Sequence, residues 1–462
     1  MEQFTAKGKW YIPELKDKVS LDGIITYSPN SGIKLDVLVS FKESLSTKEH
    51  QKLIEPELIH GTLESGEHIT LYKCFSTKIP IWNGSSIEYI VNYGFIGGLL
   101  NENSLTFTRF DTSFNLLNNW FVPKALNVTY ENSIKIRNVL FPDPESYEFP
   151  VNKGKLTLWN SWKSNYTFSQ KFEAKSVTGL SFSFDEEVDL QELLITVYQL
   201  QIFFSLISGW NFYPQFLRAK TEREEVVDVL YSFNIGEDYD KDISWHELLF
   251  NFRILQESFG EKIEEYFESL EKLQIVYDLF YEYRFRKSIV EDKFINIARA
   301  LEVYHRKSFN ENSLSEWLIE LLLEEIKKSV RLKIKEEKLN KREIDEVERF
   351  ISRIKYFNEP PLFKRLKDLY RLLRNIDFIK QLFGGNKRKV NSFLRRVYVS
   401  RNYYVHFNPD LEKDAFKGLE LYWVNKKIGT FLEALLLKGI GFTDSELNTA
   451  FTNNLKYQQL AR

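Results

Sequence analysis

Cysteine is almost absent from this chain: its 462 residues hold one, Cys74, so no internal disulfide can form. Histidine is nearly as scarce. The six residues His50, His60, His68, His246, His305 and His406 are scattered, with no HExxH and no paired CxxC spacing, so no metal centre is expected. A GxxxxGKS/T phosphate loop is also missing, which removes the residues that ATP hydrolysis requires, and no cofactor of any kind is expected. Long apolar runs are lacking too. The most lipid-like stretch, Leu193 to Trp210, is broken by Thr196, Gln199, Gln201, Ser205 and Ser208, so it reads as a buried or inter-domain helix and not as a membrane span. The start MEQFTAKGKW has no apolar core of a signal peptide, and with the single cysteine this points to the cytoplasm. A net charge of −2 excludes a surface coated uniformly for nucleic acid, so any phosphate contact must come from a local patch.

What is present is a soluble-protein composition, 43% hydrophobic, 28% charged and 15% aromatic, in a chain long enough for two or three domains. From residue 1 to about 187 short alternating runs such as Ile33 to Phe41 and His68 to Lys73 are separated by turn clusters, Ser28 to Gly32 and Asn83 to Ser86 among them. This predicts a β-rich sandwich or open barrel. After Asp185 the period becomes helical, so residues 188–242 are expected as a helical connecting segment closed by the acidic run Gly236 to Asp242. From 243 to 462 an all-helical domain is expected, beginning with Trp245 and interrupted at Pro360-Pro361 and at Gly384-Gly385. The whole is a multidomain α+β chain. The charged stretch Arg331 to Arg353 reads as a solvated helix face. Trp10, Trp82, Trp120, Trp159 and Trp162 are expected in the core or at the edges of the β domain, the other reading being a stacking platform for a sugar, base or peptide.

One segment stands out by charge. Between Phe378 and Pro409 there is no acidic residue, while Lys380, Lys387, Arg388, Lys389, Arg395, Arg396 and Arg401 fall within it. Lys387, Arg388, Lys389, Arg395 and Arg396 form a basic island suited to RNA; the alternative is a solvated helix balanced by acids elsewhere in the fold. Gly384-Gly-Asn-Lys387 precedes the helix and could offer N–H groups to a backbone phosphate.

At about 100° per residue, Val390, Phe393, Leu394, Val397 and Tyr404 share an apolar stripe, and Arg401 projects from it. A guanidinium there needs a buried acid, acceptors from a second copy, or a ligand phosphate. His406 follows five positions later, about 140° round and about 7.5 Å along, so one straight helix does not aim both side chains at one atom. Either the helix unwinds before Pro409, or a symmetry-related copy completes the site; the dimer is the favoured expectation. The pair has what metal-free RNA cleavage needs. A histidine can take the proton of a ribose 2′-hydroxyl or give one to the leaving 5′-oxygen, and an arginine can stabilise charge on pentacoordinate phosphorus. The products would be a 2′,3′-cyclic phosphate and a 5′-hydroxyl, and DNA would survive. Arg299 and His305, with Glu302 on the same helix, make a looser match in which packing by Ala298, Leu301 and Tyr304 is the favoured reading.

Arg401-Asn-Tyr-Tyr-Val-His406 resembles the motif of the HEPN superfamily, whose ribonucleases carry an Arg, usually a polar residue after it, and a His four to six positions on. Gly8-Lys-Trp-Tyr-Ile-Pro13, the Val19 to Gly23 turn, Ile59-His-Gly61, His68-Ile-Thr-Leu71, Phe95-Ile-Gly-Gly98 and Leu116-Leu-Asn-Asn-Trp120 are similar to the N-terminal domain of ApeA-type anti-phage proteins. Phe294 to Glu302 is similar to the family's helix before the catalytic one. The resemblance implies a bacterial abortive-infection protein: a toxic HEPN endoribonuclease domain, restrained or triggered by a β domain that senses a phage product. It implies Arg401 and His406 as the catalytic pair, Asn402 as a supporting polar residue, Glu302 as an acid behind them, structured RNA such as tRNA as substrate, and a homodimer or larger homo-oligomer. The competing readings are a catalytically silent nucleic-acid- or protein-binding scaffold, and a β domain that is itself the main sensor.

Overall fold

The computed structural model describes residues 2–76, 78, 82, 84–130, 136–167, 171–233, 243–309, 315–336, 341–354 and 360–461. The chain divides into two compact units, Met1–Glu268 with Phe285–Lys287, and Ser269–Arg284 with Ser288–Arg462.

Alternation builds the first unit. Strands β1 (Phe4–Tyr11), β2 (Val19–Ser28), β3 (Gly32–Phe41), β4 (Leu58–Leu63), β5 (His68–Ser76) and β6 (Ser86–Ile96) pair in the order β6-β3-β2-β1-β4-β5, and β5 returns to β6. The barrel is therefore closed, which removes the free edges that an open sheet would present. In β3, Ile33, Leu35, Val37 and Val39 are buried and Lys34, Asp36, Leu38 and Ser40 are exposed. Val19 to Gly23, expected as a turn, is the first half of β2, because Val19, Leu21 and Ile25 continue the inward alternation. Trp10 fills the barrel interior over Gly61, where a Cβ would lie 2.3 Å from the indole. The helix α1 (Thr47–Ile54) is tied to the barrel by the Tyr89 hydroxyl, which donates to the Leu53 carbonyl at 2.7 Å.

β6 also pairs with the last of a second set of strands. These are β7 (Thr106–Phe114), β10 (Glu145–Val151), β11 (Gly154–Thr167), β12 (Lys171–Asp189), β13 (Pro214–Thr221) and β14 (Val226–Leu230), ordered β10-β11-β12-β7-β13-β14-β6; β8 (Asn127–Tyr130) and β9 (Ile136–Leu140) form a separate hairpin. Short helices α2 (Leu117–Phe121) and α4 (Phe252–Leu255) and the long α3 (Leu190–Ser208) belong to the same unit. α3 starts where Asp189 accepts a hydrogen bond from the Glu192 N–H at 2.8 Å, an N-cap. The segment 188–242, expected as a helical connector, holds α3 and then β13 and β14, which join the sheet because Val227, Val229 and Leu230 supply a buried strand face. The acidic run Gly236 to Asp242 lies outside the described residues, as does Asn83 of the turn expected at 83–86.

Among the described residues α3 is long and apolar enough to cross a membrane, and 72% of its most apolar window is buried inside the fold. Its Phe204 meets Trp120, Phe114 and Phe212 at ring-centroid distances of 5.0, 5.7 and 5.6 Å. Two of the polar interruptions are bonded within the unit: Thr196 Oγ1 donates to the Glu192 carbonyl at 2.9 Å, and Ser205 Oγ accepts from the Phe212 N–H at 2.9 Å.

The second unit is helical. α5 (Phe259–Phe285) contributes Ser269–Arg284, followed by α6 (Val290–Ser308), α7 (Glu316–Glu336), α8 (Lys341–Ile354), α9 (Leu362–Leu373), α10 (Asp377–Leu382), α11 (Lys387–His406), α12 (Gly418–Gly439), α13 (Asp444–Asn453) and α14 (Leu455–Ala461). From Ile428 to Leu437 every residue of α12 is buried, so this half of the helix has no solvent face and takes the centre, while Leu419, Tyr422 and Trp423 of its first turns are exposed. Glu433 lies within that stretch because the Tyr457 hydroxyl donates to it at 2.8 Å and Arg284 stands 3.9 Å away. α6 packs on α12, α9 and α11, which brings distant parts of the sequence to one place. On α7 and α8, Arg331, Lys333, Arg342 and Glu346 are exposed, and Arg342 meets Glu346 at 3.5 Å.

Candidate active site

α11 begins after a turn that demands glycine. Gly384 and Gly385 both have positive φ, +98° and +83°, and Asn386 then caps the helix by accepting from the Lys389 N–H at 3.0 Å. The N–H groups of Gly384 and Gly385 donate to the carbonyls of Gln381 and Lys380 at 2.9 and 2.7 Å, closing α10. Those two N–H groups are thus already bonded within the chain and are not offered to a phosphate.

The helix is unbroken as far as His406 and ends at Phe407, in left-handed geometry (φ 48°, ψ 37°). It does not unwind between Arg401 and His406, so the first of the two routes to a shared site is not taken. Val390, Leu394, Val397 and Tyr404 are buried, with Phe393 half-buried and stacked on Phe383 at 4.8 Å. Arg401 keeps 28% of its side chain exposed and finds its acid within the same chain: Nη2 donates to Glu302 Oε2 of α6 at 3.0 Å. Its Nη1 donates to Asn402 Oδ1 at 3.3 Å. Glu302 stands 3.7 Å from Arg306 as well, so one carboxylate is shared by two guanidinium groups. The arrangement fixes the direction of the Arg401 fork while leaving part of it open to an anion.

His406, the last residue of α11, is exposed, and among the described residues no hydrogen bond or ion pair holds its imidazole. An imidazole so placed can exchange protons with a bound substrate without first breaking a contact. Residues 407–417 return under α11 through a latch that spacing alone does not reveal. Ser400 Oγ accepts from the Phe416 N–H at 2.9 Å, and the Tyr404 hydroxyl donates to the Phe416 carbonyl at 2.8 Å. Burial, aided by Glu291, pushes the Tyr404 phenol up, which keeps it a neutral donor. An apolar Ala415-Phe416 pair within a charged loop was the available signal.

Two family descriptions match the chain. The description ApeA N-terminal domain 1 matches residues 5–266, more than half of the chain. The chain belongs to the ApeA family. A second description, Apea-like HEPN, matches residues 295–446, the stretch that carries Glu302, Arg401, Asn402 and His406. No curated protein and no solved structure matches the chain. The expected architecture, an ApeA-like β-rich region followed by a HEPN-like helical one, is the architecture found. The HEPN domain connects the chain with nuclease and defence roles, and HEPN families are in general RNases.

The basic island divides on inspection. Lys387, Arg388, Lys389 and Arg395 are exposed. Arg396 is not free in the same way, since its Nη1 and Nη2 grip Glu420 at 2.7 and 3.0 Å and its guanidinium lies 4.0 Å from the Phe416 ring centroid. Lys380 is paired with Asp377 at 2.7 Å. The acids missing from residues 378–409 thus come from Asp377 just before it, from Glu420 of α12 and, for Arg401, from Glu302 of α6.

Arg299 and His305 are separated by the fold. Arg299 is exposed, whereas His305 is 2% exposed, 3.5 Å from Asp368 and stacked on Phe309 at 4.5 Å. His60 Nε2 donates to the Leu100 carbonyl at 2.9 Å, and His68 meets Thr62 at 3.2 Å, so the two histidines of adjacent strands are engaged elsewhere. Among the described residues no group of three or more His, Cys, Asp or Glu is arranged to hold a metal ion. Trp10 and Trp120 are core residues, Trp159 and Trp162 are half-buried, and Trp82 is exposed.

Proposed function

We propose that this chain is a metal-independent endoribonuclease of an anti-phage, abortive-infection system, with Arg401 and His406 as its catalytic pair. The observation that carries the reading is the pairing of a fixed, partly open Arg401 with an unengaged His406 at the end of the same helix, inside an Apea-like HEPN domain. His406 takes the proton of a ribose 2′-hydroxyl; the O2′ attacks phosphorus, and the bond to O5′ breaks as a proton is delivered to it. Arg401 lowers the energy of the charged phosphorane, and Asn402 steadies the guanidinium. The RNA keeps a 2′,3′-cyclic phosphate on one side and a 5′-hydroxyl on the other. Lys387, Arg388, Lys389 and Arg395 attract the backbone, Arg396 contributes through the rim, and a structured RNA with an open loop, such as tRNA, is the substrate class.

Five positions of unbroken helix place Arg401 and His406 about 140° apart, so a homodimer in which two copies of α11 face one cleft supplies arginine from one copy and histidine from the other. The β-rich unit restrains or triggers the enzyme in response to a phage product, and the protein acts in the cytoplasm. The Arg401–Glu302 contact favours one other reading, a silent HEPN scaffold in which the arginine is only a structural ion pair.

Incubating purified wild type, Arg401→Ala and His406→Ala with total RNA in excess EDTA, followed by mapping of product ends, separates the two. Cyclic-phosphate ends from the wild type alone support the ribonuclease. Cleavage that survives in both variants removes the proposed pair, and a large loss of melting temperature in Arg401→Ala with no cleavage by any of the three proteins would make the scaffold the better account.

A further inference from the structure

The residue after His406 is built against its own stability. A helix that ends in left-handed geometry ordinarily places glycine or asparagine there, because a Cβ crowds the backbone. This chain has Phe407 at φ 48°, held by its N–H donating to the Tyr403 carbonyl at 2.6 Å. The ring gains nothing from burial in return: Phe407 is 70% exposed. Asn408, next in line, has a residue type suited to the left-handed position but serves instead as the cap of the short turn Pro409–Leu411, accepting from the Asp410 N–H at 3.0 Å. Two unfavourable features, backbone geometry and an exposed phenyl ring, thus coincide one position from the imidazole.

The surroundings indicate what the ring meets. Tyr403 stands 6.2 Å from Phe407, nearly edge-on at 63°, and Lys417 Nζ lies 5.4 Å over the Tyr403 ring while also paired with Glu412 at 2.7 Å. Val405, 41% exposed, extends the apolar surface on the other side of His406. A flat aromatic face beside a proton-transfer group, with one lysine at the neighbouring ring, matches the chemistry of a nucleobase attached to a phosphate.

We infer that Phe407 is a specificity-determining residue: its ring stacks on the base of an unpaired nucleotide flanking the scissile phosphate. This deepens the ribonuclease reading and rests on it. Stacking needs a base whose face is open, so a continuous duplex cannot use the platform, and the site selects loops, bulges or single strands over helices. The left-handed backbone sets the direction of the ring at a cost that glycine would avoid.

The test uses the full-length His406→Ala protein, which holds RNA without cutting it, and a single-stranded oligoribonucleotide carrying one 2-aminopurine, alone or annealed to its complement. Stacking quenches the fluorescence of the free strand. Adding Phe407→Leu should weaken single-strand binding about tenfold or more and abolish the quench, Phe407→Tyr should retain both, and duplex binding should not change. Phe407→Gly should raise the melting temperature while losing the quench, an opposition that a merely structural role does not produce. Equal binding and quenching by the Phe407→Leu protein would overturn the inference, as would a change in oligomeric state on light scattering that accounts for the weakened binding, since the ring would then cover a second copy. Failure of the parent reading looks different: wild-type cleavage would survive Arg401→Ala and His406→Ala, or no RNA would bind with Phe407 intact.

Discussion

Arg401 and Glu302 meet at 3.0 Å although 99 residues separate them in sequence. Both side chains are between one fifth and one third exposed, so the pair stabilises the fold by no more than about 1 kcal/mol. Its larger effect is on direction, since a guanidinium donating one fork to a carboxylate presents the rest of its edge in one orientation. Glu302→Ala should therefore leave the melting temperature nearly unchanged while cleavage falls about tenfold to a hundredfold, the range expected from misplacing a reacting group by about 1 Å. Thermal unfolding and cleavage rates on one preparation check this. A variant that is strongly destabilised and fully active would assign the carboxylate to the fold and not to the site.

The Ser400–Phe416 contact predicts the opposite balance. Ser400 is fully buried and accepts the Phe416 N–H at 2.9 Å, so Ser400→Ala leaves a buried donor without its acceptor, at a cost of about 1 to 3 kcal/mol. Because that N–H anchors the return of residues 407–417, the loss should also appear as faster amide exchange at Phe416 than in the rest of the helical unit. Unchanged exchange there would mean that the Tyr404 hydroxyl alone holds the return.

Much of this could be read from residue order, and the exceptions have physical causes. β3 was legible because Ile33, Leu35, Val37 and Val39 alternate with polar residues except Leu38, and α11 because Asn386 and two glycines mark its start. Barrel closure was not, since it depends on β5 pairing with β6 across a register that period-two patterning leaves open. β13 and β14 were hidden behind α3, whose apolar composition dominates the segment. Arg401 was visible as a charge on an apolar stripe, but nothing local to α11 names Glu302 as its acceptor. The left-handed position of Phe407 was not legible, because that geometry is associated with glycine and only the backbone shows a phenylalanine there.

In the first unit, Glu145 gives a pH dependence of defined sign. Hydrogen bonds from Arg253, at 3.0 and 2.7 Å, hold its carboxyl down to about 2 against burial, with help from Tyr147. A carboxyl lowered from an ordinary 4.5 stabilises the fold fully above that pH and loses the contribution as pH falls toward 2. Glu145→Gln mimics the protonated state. It should cost about 2 kcal/mol near neutral pH and progressively less as the wild type is titrated through the interval from 4.5 to 2. Denaturant midpoints across that interval decide it: a constant difference between the two proteins would show that the Arg253 contact does not set the carboxyl's titration.

The centre of the helical unit has one position where size alone decides. Gly429 lies mid-way along α12, where a Cβ would come 2.2 Å from Tyr283 Oη and 2.4 Å from the edge of its ring. Tyr283 cannot simply swing aside, because its hydroxyl donates to the Asn425 carbonyl at 2.8 Å and the ring is buried. Gly429→Ala improves helix propensity by roughly 1 kcal/mol in an open helix, yet here overpacking should outweigh it and leave a net loss of about 2 kcal/mol. Tyr283→Leu by itself opens a cavity and is also destabilising. Combined, the two changes should cost less than their sum, since the new methyl group occupies space the phenol has left, and that shortfall is the coupling a double-mutant cycle measures. Strict additivity would mean that α12 shifts as a whole to admit the methyl group, and the close approach of Tyr283 to Gly429 would then not be what fixes the position of the central helix.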